Sequence, residues 1–323
     1  MTDRIDVHSH YFPTALVEAF EQRARPPRIY TENGRRLLTY GPGVIYPLAY
    51  AASELDAKLA MMDELDISLT ILSVNVPGID WFEADEAPDI ARAVNNELAA
   101  VVRGSGGRFA ALAALPMQVP GGAEAELRRV AGMGLCGAQI YSNVAGGHAD
   151  DAALRPVFST AAELNLPIVI HPTYPLSAQS VGGDPLTTTV GFLFDTTTCA
   201  LRLILDGVFE RDPTLKLVLG HSGSLLPQLI GRIDYQFELL TDRHNELGPP
   251  SEMIRLLYTD AVCAWPPALR AALDFFGADR VMFGTDDPFW QPQRTIDTVE
   301  ATDLSAIEDE ALRVTNARRV FAL

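Results

Sequence analysis

The sequence predicts an α/β protein: an eight-stranded parallel (β/α)8 TIM barrel with a flap inserted after strand one and closing helices at the C-terminus. Three observations carry this reading. Short apolar runs recur along all 323 residues, separated by amphipathic helical stretches. Most of the runs lack polar alternation, as expected of parallel strands buried on both faces. Potential metal ligands stand at or just after the ends of four of them, as His8-Ser9-His10, His171, His221 and Asp286. An open doubly wound sheet instead places a glycine-rich phosphate turn after its first strand, and His-Ser-His occupies that place here.

Taken in order, strand one is 5–7. Residues 11–52 follow, rich in Pro, Gly, Arg and Tyr, without a long periodic helix after Glu21; they are expected to form a flap or small hairpin. A helix over 54–65 has Ser53 as its N-cap, Asp56 three residues on, and Leu55, Leu59 and Met62 on one face. Strand two is 68–73. Helices over 88–103, 123–131, 152–164, 191–209, 225–240 and 267–276 precede strands at 109–114, 135–140, 167–170, 216–219, 256–260 and 281–283. Asp150 or Asp151 caps the helix that begins at 152. The tail 305–321 forms closing helices, with Ser305 and Glu308 spaced as a capping box. No linker or composition shift divides the chain, so residues 1–323 read as one domain.

Hydrophobic residues make up 48% and charged residues 21%, a globular balance. A formal net charge of −17 denies nucleic acid and anionic membrane the basic footprint they require. The three cysteines, 136, 199 and 263, include no CxxC pair, which suits a reducing compartment. No apolar run approaches the roughly 18 residues of a membrane span. Residues 1–10 lack the basic start and apolar core of a signal peptide. A cytoplasmic protein is therefore expected.

The chemistry lies in the histidines. His8 and His10 are two apart, and a strand's side-chain period of two points both imidazoles the same way. Alone, such a pair is weak evidence; its position after the first strand makes it half of a metal ligand set. With His171 and Asp286 it gives three nitrogens and one oxygen, leaving room for a water. That donor set makes Zn²⁺ the first choice, with Mn²⁺ or Fe²⁺ as alternatives. Asp286 also has a plain reading as a turn or cap carboxylate beside Gly284 and Pro288, while its neighbour Asp287 is either an added general base or, plainly, a salt bridge or helix cap. His221, from a different strand, could be a fifth ligand, but because the other four already fill a ligand set it is placed beside the metal as a proton donor or oxyanion stabiliser. Asp260, ending strand seven, is suited to orienting a ligand histidine.

These islands resemble the amidohydrolase superfamily, in the branch typified by aminocarboxymuconate-semialdehyde decarboxylase. The likeness runs along essentially the whole chain. It rests on His8-Ser9-His10-Tyr11-Phe12-Pro13, on Phe209-Glu210-Arg211 through Gly220-His221-Ser222-Gly223, on Gly231-Arg232-Ile233-Asp234 and on Asp279-Arg280-Val281-Met282-Phe283-Gly284-Thr285-Asp286. The resemblance implies one divalent metal on His8, His10, His171 and Asp286, and a catalytic His221. It also implies a substrate-carboxylate arginine at Arg232, reached across a homodimer interface. The plain reading of Arg232 is a helix-surface arginine paired with Asp234 or Glu238.

Two departures set the chain apart. The branch's second substrate arginine, in the flap, corresponds to Tyr46, and its usual tyrosine after the metal aspartate is Asp287. The expected function is a metal-dependent, non-oxidative decarboxylase of a small unsaturated or aromatic carboxylic acid. The alternative is a hydrolase of lactones or amides using the same site, with Asp286 as its base. Tyr46, Asn75, Tyr141, Phe289 and Trp290 are the candidate substrate contacts, and Ser142 and Asn143 are further candidates for substrate oxygens.

Overall fold

Apolar runs become strands here because helices cover one side of them and the barrel interior fills the other. The computed structural model describes residues 3–41, 44–48, 54–183, 185–240 and 248–323. Eight strands pair in parallel in the order β1 (Arg4–Tyr11), β5 (Ile67–Val74), β6 (Phe109–Ala114), β7 (Gly137–Tyr141), β8 (Ile168–His171), β9 (Leu217–Leu219), β10 (Tyr258–Asp260) and β11 (Val281–Met282). The ring closes between β1 and the segment after β11. Val7 donates its N–H to the Phe283 carbonyl at 3.0 Å, Asp286 to that of His8 at 2.7 Å, and His10 to that of Asp287 at 2.8 Å. The fold is the expected TIM barrel.

Inside the barrel Ile5, Val7, Ile71, Leu112, Val169 and Met282 form one cluster, and Ala317, Val320 and Phe321 of the last helix close its lower end. A larger apolar cluster fills the space between the strands and the surrounding helices. Burial on both faces explains the missing alternation.

The flap holds a helix, Thr14–Gln22, and an antiparallel sheet of β2 (Arg28–Glu32), β3 (Arg35–Gly41) and β4 (Val44–Pro47). Asn33 and Gly34, at φ 50° and 73°, make the tight turn between β2 and β3. The capping box is present: Ser305 and Glu308 exchange side-chain-to-backbone hydrogen bonds. Asp151 accepts from the Ala153 N–H as predicted, although it caps a short 3-10 turn ahead of the helix Arg155–Glu163. Ser53 lies outside the described residues.

Two expectations need correction. The helix read over 191–209 begins earlier, with a π turn at Thr187–Gly191, and its regular part, Phe192–Leu205, ends before Gly207. That glycine sits at φ 82°, a left-handed conformation that starts a separate short helix, Val208–Arg211. The combined stretch Thr187–Leu205, 19 residues at mean hydropathy 1.2, is also long and apolar enough to match a membrane span. It packs as a barrel helix instead: Asp195, Thr196, Cys199, Leu203 and Ile204 are all buried.

Candidate metal centre

The ends of β1 and β8 and the loop after β11 bring His8, His10, His171 and Asp286 together, each of them buried. One ligand atom from each lies within 4.8 Å of the other three. His10 Nε2 is 2.9 Å from Asp286 Oδ1, and His8 Nε2 is 3.4 Å from the same oxygen.

The hydrogen bonds on the far side of each ring fix its tautomer. His8 Nδ1 lies 2.7 Å from the Asp260 carboxylate. His171 Nδ1 lies 2.7 Å from the Pro172 carbonyl, which only accepts, so this nitrogen carries the proton. His10 Nδ1 lies 3.1 Å from Ser73 Oγ, whose own hydrogen goes to the Ser9 carbonyl, so the hydroxyl accepts from the ring. Each ring therefore holds its proton on Nδ1 and turns the Nε2 lone pair inward. Nε2 of His8 and of His171 are buried and have no hydrogen-bond partner among the described residues. Such groups are costly to bury unless a ligand takes them up.

The electrostatics agree. Burial pushes His171 well below the ordinary imidazole range, helped by the charges of His10 and His8, so it stays neutral. Burial opposes charge on His8 too, but Asp286 and Asp260 outweigh it and lift His8 to about 10, so near neutral pH its Nε2 also binds a proton, which a divalent cation would displace to free the lone pair. Burial disfavours the charged form of Asp286, yet His8, His10 and His221 hold its carboxyl well below the usual carboxylate range. Two buried carboxylates thus draw positive charge into the cluster. Three inward lone pairs and an ionised carboxylate fit one divalent cation.

His221 stands at the edge. Its Nε2 is 3.5 Å from Asp286 Oδ2, and its side chain is 12% exposed, against 0–8% for His8, His10 and Asp286. Backbone at φ 59° and 54° for His221 and Ser222 bends the chain sharply after β9. Asp260 holds that bend through the Ser222 N–H at 3.2 Å while also orienting His8, the positioning role expected of it.

A family model described as Amidohydrolase matches residues 5–323. The chain belongs to that amidohydrolase family. It is 32% identical over 307 residues to the gamma-resorcylate decarboxylase of Rhodococcus jostii, covering 83% of this chain and 87% of that one. It is 33% identical over 238 residues to the 2-amino-3-carboxymuconate-6-semialdehyde decarboxylase of Dictyostelium discoideum, covering 72% of this chain and 66% of that relative. Among solved structures, the dihydroxybenzoic acid decarboxylase of Polaromonas sp. JS666, with bound manganese and the inhibitor 2-nitroresorcinol, superposes at a TM-score of 0.85. The two share 27% identity, over 100% of this chain and 98% of that one. Within the amidohydrolase family this chain is an enzyme of the carboxy-lyase class.

The substrate-contact candidates divide. Phe289 is half exposed, with its ring 5.7 Å from that of His10. Trp290 is half-buried, its backbone N–H on the Asp286 carbonyl at 3.1 Å. Asn75 is buried directly after β5. The Tyr141 hydroxyl donates to the Val74 and Asn75 carbonyls at 3.0 and 3.2 Å, so its proton is already engaged. Ser142 and Asn143 donate to the buried Asp195 at 2.5 and 2.9 Å, which ties loops together. Arg232 is exposed on the helix Leu226–Leu240. Tyr46 pairs with Leu38 through the backbone, and its side chain lies outside what the structure describes.

Sequence reading missed three buried groups near the centre. Asp6 accepts from the His8 and Thr285 N–H groups and from the Thr285 hydroxyl. Its signal was a charge inside the apolar run Ile5-Asp6-Val7. Lys58 carried a similar one, a charge on the apolar face of its helix, and Ser73 carried none.

Proposed function

We propose that this chain catalyses the non-oxidative decarboxylation of a small aromatic carboxylic acid of the hydroxybenzoate type. The observation that carries the reading is three Nε2 lone pairs and one carboxylate converging beside His221, a histidine that set does not require. Full-length relatives that decarboxylate dihydroxybenzoates support the substrate class.

When bound, the divalent metal supplies positive charge for substrate oxygens and for negative charge that develops in the transition state. His8, His10, His171 and Asp286 hold it. Three imidazoles favour zinc, and the manganese-bearing relative makes manganese the second candidate. Metal analysis of the protein as purified decides between them.

His221 Nε2 carries the proton and delivers it to the ring carbon that bears the carboxylate. The bond from that carbon to the carboxylate then breaks, its electron pair restores the aromatic ring, and CO2 leaves. Asp286 Oδ2, next to His221 Nε2, steadies the charged imidazole before transfer. Phe289 and Trp290 are assigned to the ring of the substrate, and Asn75 and Tyr46 to the rim of the site.

Arg232 is assigned to the substrate carboxylate of a partner subunit in a homodimer, since a guanidinium fork matches a carboxylate. Its exposure, with Tyr235 and Leu239 exposed on the same helix, supports that placement. Three free cysteines fit a cytoplasmic location.

The test is incubation of purified, metal-loaded protein with 2,6-dihydroxybenzoate and related hydroxybenzoates, following CO2 and the decarboxylated phenol. Equimolar release of both is expected. Hydrolysis of lactones or amides with no CO2 from any hydroxybenzoate would overturn the reading.

A further inference from the structure

Lys58 is a lysine where the helix Leu55–Glu64 should present an apolar side chain: only 3% exposed, on the same buried face as Met62. A buried ammonium is costly unless paired. Its Nζ donates to Ser9 Oγ at 2.8 Å and forms an ion pair with the Asp287 carboxylate. Ser9 stands between the ligands His8 and His10, and Asp287 follows the ligand Asp286. The same two residues bridge the barrel seam, where the Asp287 carbonyl accepts from the His10 N–H at 2.8 Å and from Ser9 Oγ at 3.4 Å. One side chain thus grips both ligand-bearing segments at the point where the barrel closes. The pairing also accounts for Asp287, one of the two positions at which the chain departs from the branch it resembles: Lys58 neutralises the extra carboxylate, which favours the salt-bridge reading over a general base.

We propose that the Lys58–Asp287 pair is a positioning clamp that sets the spacing of Asp286 relative to His8 and His10, and so sets how tightly the metal is held. Two further observations fit. Asp286 sits at φ 58°, an uncommon left-handed backbone for a residue other than glycine. Asp6 braces the same loop from below through Thr285, whose hydroxyl in turn accepts the Asp287 N–H at 3.2 Å. The loop is therefore held from two sides, with Lys58 reaching it from a surrounding helix.

The inference rests on the metal centre proposed above, and one experiment separates their failures. Zinc and manganese dissociation constants are measured by chelator competition on the full chain, with melting of the metal-free protein on the same samples. Lys58→Met is expected to weaken metal binding by about tenfold or more, the scale for loss of a partner behind the ligands. Ser9→Ala keeps both charges of the pair and removes one leg of the clamp; about threefold weakening is expected. A purely electrostatic role predicts the opposite for Lys58→Met, because removing a positive charge near a cation tightens it. A purely structural role lowers the melting temperature and leaves the dissociation constants within twofold. Either result overturns the clamp. If Lys58→Met does not fold, Ser9→Ala decides by the same criteria. A wild-type protein that binds neither metal overturns the metal centre itself.

Discussion

In the proposed reaction His221 is the residue that supplies the proton. Its Nδ1 is buried without a hydrogen-bond partner among the described residues, and Nε2 faces Asp286. Because the metal donor set is complete without it, His221→Asn is expected to lower kcat by about 10²–10⁴ while metal content stays at wild-type level. Full activity in that variant, or stoichiometric metal loss, would contradict the assigned role.

Asp80 presents a different case at the same scale. Burial, partly offset by its own backbone N–H, raises its carboxyl from 3.8 to about 7, and Oδ1 has no hydrogen-bond partner among the described residues. Between those two values the unfolded chain releases the proton while the folded chain keeps it. Stability therefore falls as pH rises through that window and does not recover above it. Asp80→Asn removes this dependence. Thermal melts should show the variant gaining on wild type between pH 5 and pH 8, and an unchanged difference would refute the assignment.

Among the elements, the helix Phe192–Leu205 with its leading π turn is the most informative. Its inner face packs on the barrel. Leu186, Val190 and Phe194, spaced four apart, are about half exposed, as is Leu176 nearby in sequence. The helix that carries Arg232 starts against it, with the Leu225 N–H on Thr197 Oγ1 at 3.0 Å. Exposed apolar side chains at helical spacing are what a subunit interface requires. If the proposed homodimer forms through this face, Phe194→Glu is expected to give monomer in sedimentation velocity and to lower decarboxylation along with it, because Arg232 would then reach no partner. A variant that stays dimeric, or a monomeric wild type, counts against that interface.

At the scale of the whole molecule, the metal centre is the seam of the barrel. Asp286 and His8 are joined both by ligation geometry and by the backbone bond that closes β1 against the last segment. Metal binding should therefore stabilise the entire fold. Removing the metal with a chelator is expected to lower the melting temperature, and restoring it to about 100 times its dissociation constant should return roughly 2.7 kcal/mol. Equal melting of metal-free and metal-loaded protein would separate the site from the closure.

Local chemistry by itself determined the strand–helix alternation, the capping box at Ser305 and Glu308, and the ligand types, because each is written within a few residues of chain. Periodicity and cap spacing act over one helical turn or one pleat, so they survive without a tertiary partner. The bounds of the helix at 187–205 were not legible, since a π turn and a left-handed glycine decide them. Only the folded barrel decided which tautomer each histidine holds, that Tyr141, Ser142 and Asn143 have their donors engaged, and that a helix lysine reaches Asp287. Those facts join residues as far apart as the 252 positions between His8 and Asp260 and the 229 between Lys58 and Asp287. Hydrogen bonds over such separations exist only once the last strand has closed on the first, and no local pattern records them.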